Sequence, residues 1–265
     1  MDIKDMSGDI PAVWNVDAVR VGSDGLHCEV EDLVVCEHFI TVYVNGTPVF
    51  GLSCTPKDLC ELVLGRLLTE GFITGTQDVD SIFICGTGET ADVVLPGGIA
   101  LKEDINVPTC CTGNKGVYSP AKKACKRLSP AEPDDRRIFA LVRRFKEDSA
   151  LHRGTNGTHS CYLDTGEDIL CFEDISRHNA LDKAVGYALI NGIDPAGCIL
   201  FTTGRIALDM CEKAIMAGIP VLASKAAATR EAVNKARECG LTLICKAWPD
   251  SFAIEARGQK QEARS

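Results

Sequence analysis

Glu173–Asp174–Ile175–Ser176–Arg177–His178–Asn179–Ala180–Leu181–Asp182–Lys183 follows the apolar run Ile169–Phe172 and opens a helical pattern. A short apolar run that gives way to a helical period is a strand feeding a helix. Two acids, Arg177, His178, Asn179 and the Asp182/Lys183 pair crowd this junction. Such polar density at a strand-to-helix turn marks the binding or catalytic edge of an α/β sheet. The plainer reading of the same residues is a well-capped helix start, with Asp174 or Ser176 as the cap.

The surrounding chain repeats the pattern. Ser160–Leu163 and Ile169–Phe172 read as strands joined by Asp164–Thr165–Gly166–Glu167. A helix is expected from about Asn179 to Ile190, a strand at Cys198–Thr203, and a helix to about Ala217. Strand Pro220–Ser224, helix Thr229–Cys239 and strand Leu241–Cys245 follow. Strands alternating with helices predict an α/β class sheet covered by helices. Three junctions then share one theme: Glu173–Lys183, Thr203–Gly204–Arg205, and the run Ser224 to Arg230. Each falls on the carboxyl edge of its strand, where helix N-termini offer free N–H groups. Thr203, Ser224 and Thr229, with Arg177, Arg205 and Lys225, suit an anionic, phosphate-bearing ligand there. No P-loop and no G-x-G-x-x-G is present.

Upstream the pattern changes. Residues 1–25 read as a ragged lead-in. His38–Val44 and Pro48–Leu52 flank Asn45–Gly46, a hairpin signal. Thr55, Pro56 and Asp58 read as the cap, first position and first turn of a helix that Gly71 ends. Its apolar face carries Leu59, Leu62, Val63 and Leu67. Short strands are expected near Ser81–Cys85 and Ala91–Leu95. Asp134–Ser149 is a helix with the stripe Ile138, Leu141, Val142 and Phe145 and a basic outer face. The resulting division is a smaller N-terminal α+β domain (1–101), a cysteine-containing loop (102–133) and an α/β domain (134–265).

The net charge of −9 over 265 residues argues against a nucleic-acid coat. The polar, acidic start Met1–Gly8 is no signal peptide, and no apolar run has membrane-spanning length. A cytoplasmic protein is the expectation. Fourteen cysteines are scattered through apparent strands and helices, and they read mostly as reduced, buried, small residues. No C-x-x-C occurs, and the adjacent pair Cys110–Cys111 is a poor joint ligand set for one metal, so no metal site is expected. That pair lies in the Pro- and Gly-punctuated stretch 102–135, with Lys115, Lys122 and Lys123 nearby. Thiols in such a loop, near cations, are candidates for reactivity.

The motifs resemble the FdhD family, the formate dehydrogenase accessory sulfurtransferases. The resemblance runs from about Glu37 to Thr242. Val44–Asn45–Gly46, Cys54–Leu59 and Leu64–Gly71 are similar to its N-terminal signature. Gly157–Thr158–His159–Ser160 resembles its Gly-Gly-x-His-Ala segment, and Glu173–Lys183 its Glu-Asp-x-Gly-Arg-His-Asn-x-x-Asp-Lys motif. Thr203–Gly204–Arg205, Lys213–Ala214, Ala217–Gly218 and Gly240–Leu243 continue in the family order. The family loop reads Cys-x-x-Cys, whereas this chain has Cys110–Cys111–Thr112–Gly113–Asn114.

The resemblance implies a cytidine-deaminase-like mixed sheet, without the deaminase zinc, in a homodimer. It implies a sulfur carrier that passes persulfide sulfur from a cysteine desulfurase to the molybdenum (or tungsten) bis-molybdopterin guanine dinucleotide used by formate dehydrogenase. Cys110 or Cys111 would carry the sulfur. Arg177, His178, Asn179, Lys183, Thr203, Gly204, Arg205, Ser224 and Thr229 would hold the guanine nucleotide arms. Asp182 and Lys183 could orient these groups or pair with each other, and His159 could line the same pocket. The alternative readings are a non-catalytic cofactor-binding chaperone with a degenerate cysteine loop, and a zinc deaminase.

Overall fold

The computed structural model describes residues 1–98 and 127–258, together with the backbone of 101–103, 115–116 and 118–120. The chain opens on β1 (Asp2–Asp5), then a two-stranded antiparallel ribbon of β2 (Val13–Val21) and β3 (His27–Val35). The N-terminal stretch is therefore not ragged. β1 pairs in parallel with β6 (Ser81–Ile84). β1 and β2 escape a sequence reading because neither buries one clean face, so their alternation is weak.

β4 (His38–Val44) and β5 (Thr47–Cys54) form the expected hairpin. Asn45 (φ 48°) and Gly46 (φ 78°) are both left-handed, as a type I′ turn requires. Helix α1 (Leu59–Thr69) follows, and Gly71 at φ 80° helps end it. Its start departs from expectation. The helix begins after Asp58, itself left-handed, and no side chain caps it. Thr55 is instead fully buried and bonded to distant partners described below. β7 (Thr90–Val94), β8 (Leu101–Glu103), β9 (Lys115–Gly116) and β10 (Tyr118–Pro120) come next. The first sheet has the order β1-β6-β7-β4-β5-β9.

α2 (Asp135–Asp148) is capped by Asp134, whose carboxylate accepts from the Arg136 N–H at 2.9 Å. A short helix α3 (Ala150–Thr155) leads to β11 (His159–Asp164) and β12 (Ile169–Asp174). The remainder alternates: α4 (Arg177–Ile190), β13 (Ile199–Thr202), α5 (Leu208–Met216), β14 (Val221–Ser224), α6 (Arg230–Cys239), β15 (Thr242–Cys245) and β16 (Ala253–Ala256). The second sheet has the order β12-β11-β13-β14-β15-β16. β13, β14 and β15 are parallel, and β12 shares their direction because β11 runs antiparallel to both β12 and β13. The fold is thus mixed α/β with more than one sheet, and β16 is a strand the sequence reading omitted.

The larger apolar core is continuous from Ile40, Val42 and Leu52 of the first sheet to Leu163 and Leu200 of the second. α1 and α4 lie between them. A smaller core packs α2 (Ile138, Leu141) on the other face of the second sheet, against Tyr162 and Phe201. α1 and α4 meet backbone to backbone. A Cβ on Gly65 would sit 1.8 Å from the Asp182 carbonyl oxygen, and one on Gly186 would sit 1.9 Å from that of Glu61. Among the described residues no helix is long and apolar enough to cross a membrane.

Candidate functional site

Because β12, β13 and β14 share one direction, the three junctions share one edge of the second sheet. β11 starts at that edge, which places His159 beside Asp174 in register. The edge is built from a buried foundation outward.

Asp174 is the foundation, with no exposed surface. Its Oδ1 accepts from the Ser176 N–H at 2.9 Å and from Asn179 Nδ2 at 3.0 Å. Its Oδ2 pairs with Lys183 Nζ at 2.7 Å and accepts from the Thr55 N–H at 3.0 Å. Lys183 Nζ also donates to Thr55 Oγ1 (2.8 Å) and to the Glu173 carbonyl (3.2 Å). Asn179 Nδ2 further donates to the Ser53 carbonyl at 2.8 Å. The junction after β12 is thereby tied to the end of β5. Ser176 occupies the cap position of α4 without a side-chain cap bond, and Asp174 holds the turn from two residues further back.

Asp182 and Lys183 do not pair with each other, since adjacent helical residues do not face one another. Asp182 turns to Lys213 and Arg66. Lys183 is likewise not on the open edge. Its charge is committed to Asp174 in the core, so a ligand-contacting role for it is corrected to a structural one. Asn179, also fully buried, belongs to the same foundation.

Above it stand the groups that can meet a ligand. Arg177 is half-buried and lies across Gly204, where a Cβ would be 2.7 Å from Arg177 Cδ. The absence of a side chain at 204 is what gives the arginine its path. Arg177 Nε is buried and has no acceptor among the described residues. His178 Nε2 meets Asp209 Oδ2 at 2.7 Å. Thr203 Oγ1 accepts from the Ser160 N–H at 3.1 Å and lies 3.4 Å from His159 Nδ1. Ser224 Oγ donates to the Gly204 carbonyl at 2.7 Å, and Thr229 caps α6 by accepting from the Ala232 N–H. Those two hydroxyls therefore brace the loops. Arg205 is exposed, and Lys225 Nζ rests 4.4 Å from the centre of the Phe145 ring.

The edge is cationic although the chain is acidic overall. Burial lowers the proton affinity of His159, and the nearby Arg177, His152, His178 and Lys225 lower it further. Both effects favour the neutral imidazole of His159. Burial resists ionisation of Asp209, yet the hydrogen bond and charge of His178 pull its carboxyl down to about 2. A site of this kind can bind a polyanion and exchange a hydrogen bond through His159.

Sequence reasoning missed Thr55, Asp209 and Lys213 as partners of the motif, because each contact spans many residues. It also missed Cys85. Desolvation opposes its ionisation, but bonds to Sγ from Thr87 and from the Thr90 N–H (3.3 Å) pull the thiol down to about 6. Burial instead pushes Cys54 and Cys60 up to about 12. At pH 7, Cys85 is expected to be alkylated well before Cys54 and Cys60, with a rate that rises as pH passes about 6. Pulsed iodoacetamide labelling with peptide mass spectrometry measures it, and equal rates would contradict the turn geometry. Cys110 and Cys111 lie outside the described residues.

Fold and edge together define a mixed α/β protein with several sheets and with basic side chains gathered at one strand edge. A solved structure from Desulfotalea psychrophila, assigned as a formate dehydrogenase accessory protein, superposes with a TM-score of 0.76 at 22% identity, covering 95% of this chain and 99% of that one. The chain belongs to the FdhD/NarQ family, whose model matches residues 35–260. It is 32% identical over 253 residues to the sulfur carrier protein FdhD of Wolinella succinogenes, covering 93% of this chain and 88% of the relative. The sulfur carrier protein FdhD of Bacillus subtilis is 31% identical over 223 residues, covering 82% of this chain and 85% of the relative.

Proposed function

We propose that this protein is a sulfur carrier in formate dehydrogenase maturation. It takes persulfide sulfur from a cysteine desulfurase and passes it to the molybdenum (or tungsten) bis-molybdopterin guanine dinucleotide. The cofactor is cargo, held by its phosphates at the strand edge. The observation that carries the reading is the cationic edge of Arg177, Arg205 and Lys225 on a chain of net charge −9. Arg177 Nε, buried without an acceptor among the described residues, is suited to a ligand oxygen. The co-directional strands and their helices support a cytidine-deaminase-like reading of the second sheet.

The thiol role falls to Cys110 or Cys111. In the loading step one of the two thiolates attacks the terminal sulfur of the desulfurase persulfide. A new S–S bond forms on this chain, and the desulfurase cysteine leaves as its thiolate. Cytoplasmic residence and homodimer assembly belong to the same proposal.

Loading tests it directly. After incubation with a cysteine desulfurase and cysteine, intact and peptide mass spectrometry should find added sulfur on Cys110 or Cys111. Cys110→Ala or Cys111→Ala should abolish it, with Cys85→Ala unaffected. In parallel, Arg177→Ala and Arg205→Ala should each weaken GDP binding about tenfold or more. Loading lost with GDP binding intact would favour the chaperone reading. Unchanged GDP affinity in both arginine variants would move the cargo site elsewhere, and stoichiometric zinc in the purified protein would favour the deaminase.

A further inference from the structure

We infer that the homodimer is held by the β2–β3 ribbon, whose outward face packs on the same face of a second copy about a two-fold axis. The inference rests on the homodimer assembly proposed above and names its surface.

The ribbon is long and thinly supported. Its nine register pairs, from Val13↔Val35 to Val21↔His27, span about 27 Å. A ribbon of two strands is marginal in water unless something covers it. Directly paired residues share a face, so the register sorts the side chains into two sides. One side carries Val13, Leu33 and Val35 at its base and rests on α3 and the turn after it. A Cβ on Gly154 would lie 3.3 Å from Leu33 Cδ2, and one on Gly157 would lie 2.7 Å from Val35 Cγ1. Toward the tip this side turns acidic, with Asp17 opposite Glu31 and Glu29 one row beyond, all exposed.

The other side faces outward. From base to tip its rows are Trp14 with Val34, Val16 with Asp32, Ala18 with Val30, and Arg20 with Cys28. Trp14 is 63% exposed and Val34 39%, while Val16, Ala18 and Val30 are half-buried. Arg20 and Asp32 are exposed, and neither has an ion-pair partner among the described residues. An open tryptophan, an arginine and a central apolar patch are what protein interfaces concentrate.

The order of the rows selects a second copy as the cover. A two-fold axis running across the strands, between the second and third rows, lays the first row of each ribbon on the fourth row of the other. Each Trp14 then meets the partner's Arg20, a cation over an aromatic face. Asp32 lies one row further in on the neighbouring strand, diagonal to that arginine and of opposite charge. Val16 meets the partner's Ala18, and Val30 fills the centre beside them. The outward side thus complements itself, as an isologous interface requires. The acidic side does not, since a second copy there would bring acid onto acid.

Sedimentation velocity of the full chain over a concentration series gives the dimer dissociation constant. Trp14→Ala and Val30→Asp should each raise it about tenfold or more. Glu31→Gln, on the acidic side, should leave it unchanged. Arg20→Glu and Asp32→Arg should each raise it, and the two together restore the pair with its signs exchanged and should recover part of the loss. Those two positions are exposed, so their variants probe the surface without touching the core. A dimer unmoved by Trp14→Ala and Val30→Asp, or weakened as much by Glu31→Gln, would overturn the inference and leave the homodimer assembly standing. A double charge variant no tighter than either single one would overturn the two-fold arrangement. A wild-type chain that stays monomeric at every concentration would overturn both the assembly and the inference.

Discussion

Gly65→Ala is expected to destabilise the protein by ~3 kcal/mol or more, the upper end for overpacking. The new methyl would sit 1.8 Å from the Asp182 carbonyl oxygen and 2.9 Å from the Gly186 nitrogen. Both obstacles are backbone, so no side chain can swing aside, and the helices must separate. On helix propensity alone the same change would stabilise α1 by ~1 kcal/mol. The sign of the measured change therefore decides between local propensity and the helix contact. Gly186→Ala meets the Glu61 carbonyl at 1.9 Å and should cost about as much. The double variant should cost clearly less than the sum, because both methyls part the same pair of helices. Denaturant titration with constant m-values measures all three. Additive losses would mean that the two glycines act separately.

The glycines also mark where the sequence stops being informative. Within a helical pattern each reads only as a weak point, and its use appears when the facing backbone is known. The Asn45–Gly46 hairpin, the helix beginning near Asp134 and the strand–helix alternation after residue 159 were legible, because their causes lie within a few residues. The three junctions were legible for the same reason. Their convergence on one edge depended on β12 running with β13 and β14, a matter of sheet order. Within the motif, local reading could name Asn179, Asp182 and Lys183 but not sort foundation from ligand face. That sorting is done by Thr55, Ser53, Lys213 and Asp209, whose contacts cross from 31 to 128 positions of chain. β2 stayed illegible because most of its residues are exposed, whereas β3 falls in the stretch 26–52 that reads as β-type.

Asp182→Ala is the second large effect, expected at ~3–5 kcal/mol of lost stability. The carboxylate has no exposed surface and accepts from three side chains on two helices, α1 and α5. Lys213 Nζ reaches Oδ1 at 2.9 Å, Thr69 Oγ1 reaches the same oxygen at 2.7 Å, and Arg66 Nη1 reaches Oδ2 at 3.1 Å. Removing it leaves two cations facing each other at the α1–α4–α5 junction, with Glu70 as the remaining anion of this cluster. Glu70 is a poor substitute, since it is more than a third exposed. Burial resists its ionisation, but Lys213 and Arg66 hold its carboxyl down at about 2. Its contribution is thus present above the usual carboxylate range and lost as pH falls toward 2. Thermal unfolding at pH 7 should therefore show the full loss in Asp182→Ala, with little dependence on salt, because the cluster is buried. Adding Lys213→Met should recover part of it by removing the stranded charge, leaving Arg66 paired with Glu70 at 3.3 Å. If the double variant is instead less stable than Asp182→Ala, Lys213 stabilises the junction by packing rather than by answering Asp182.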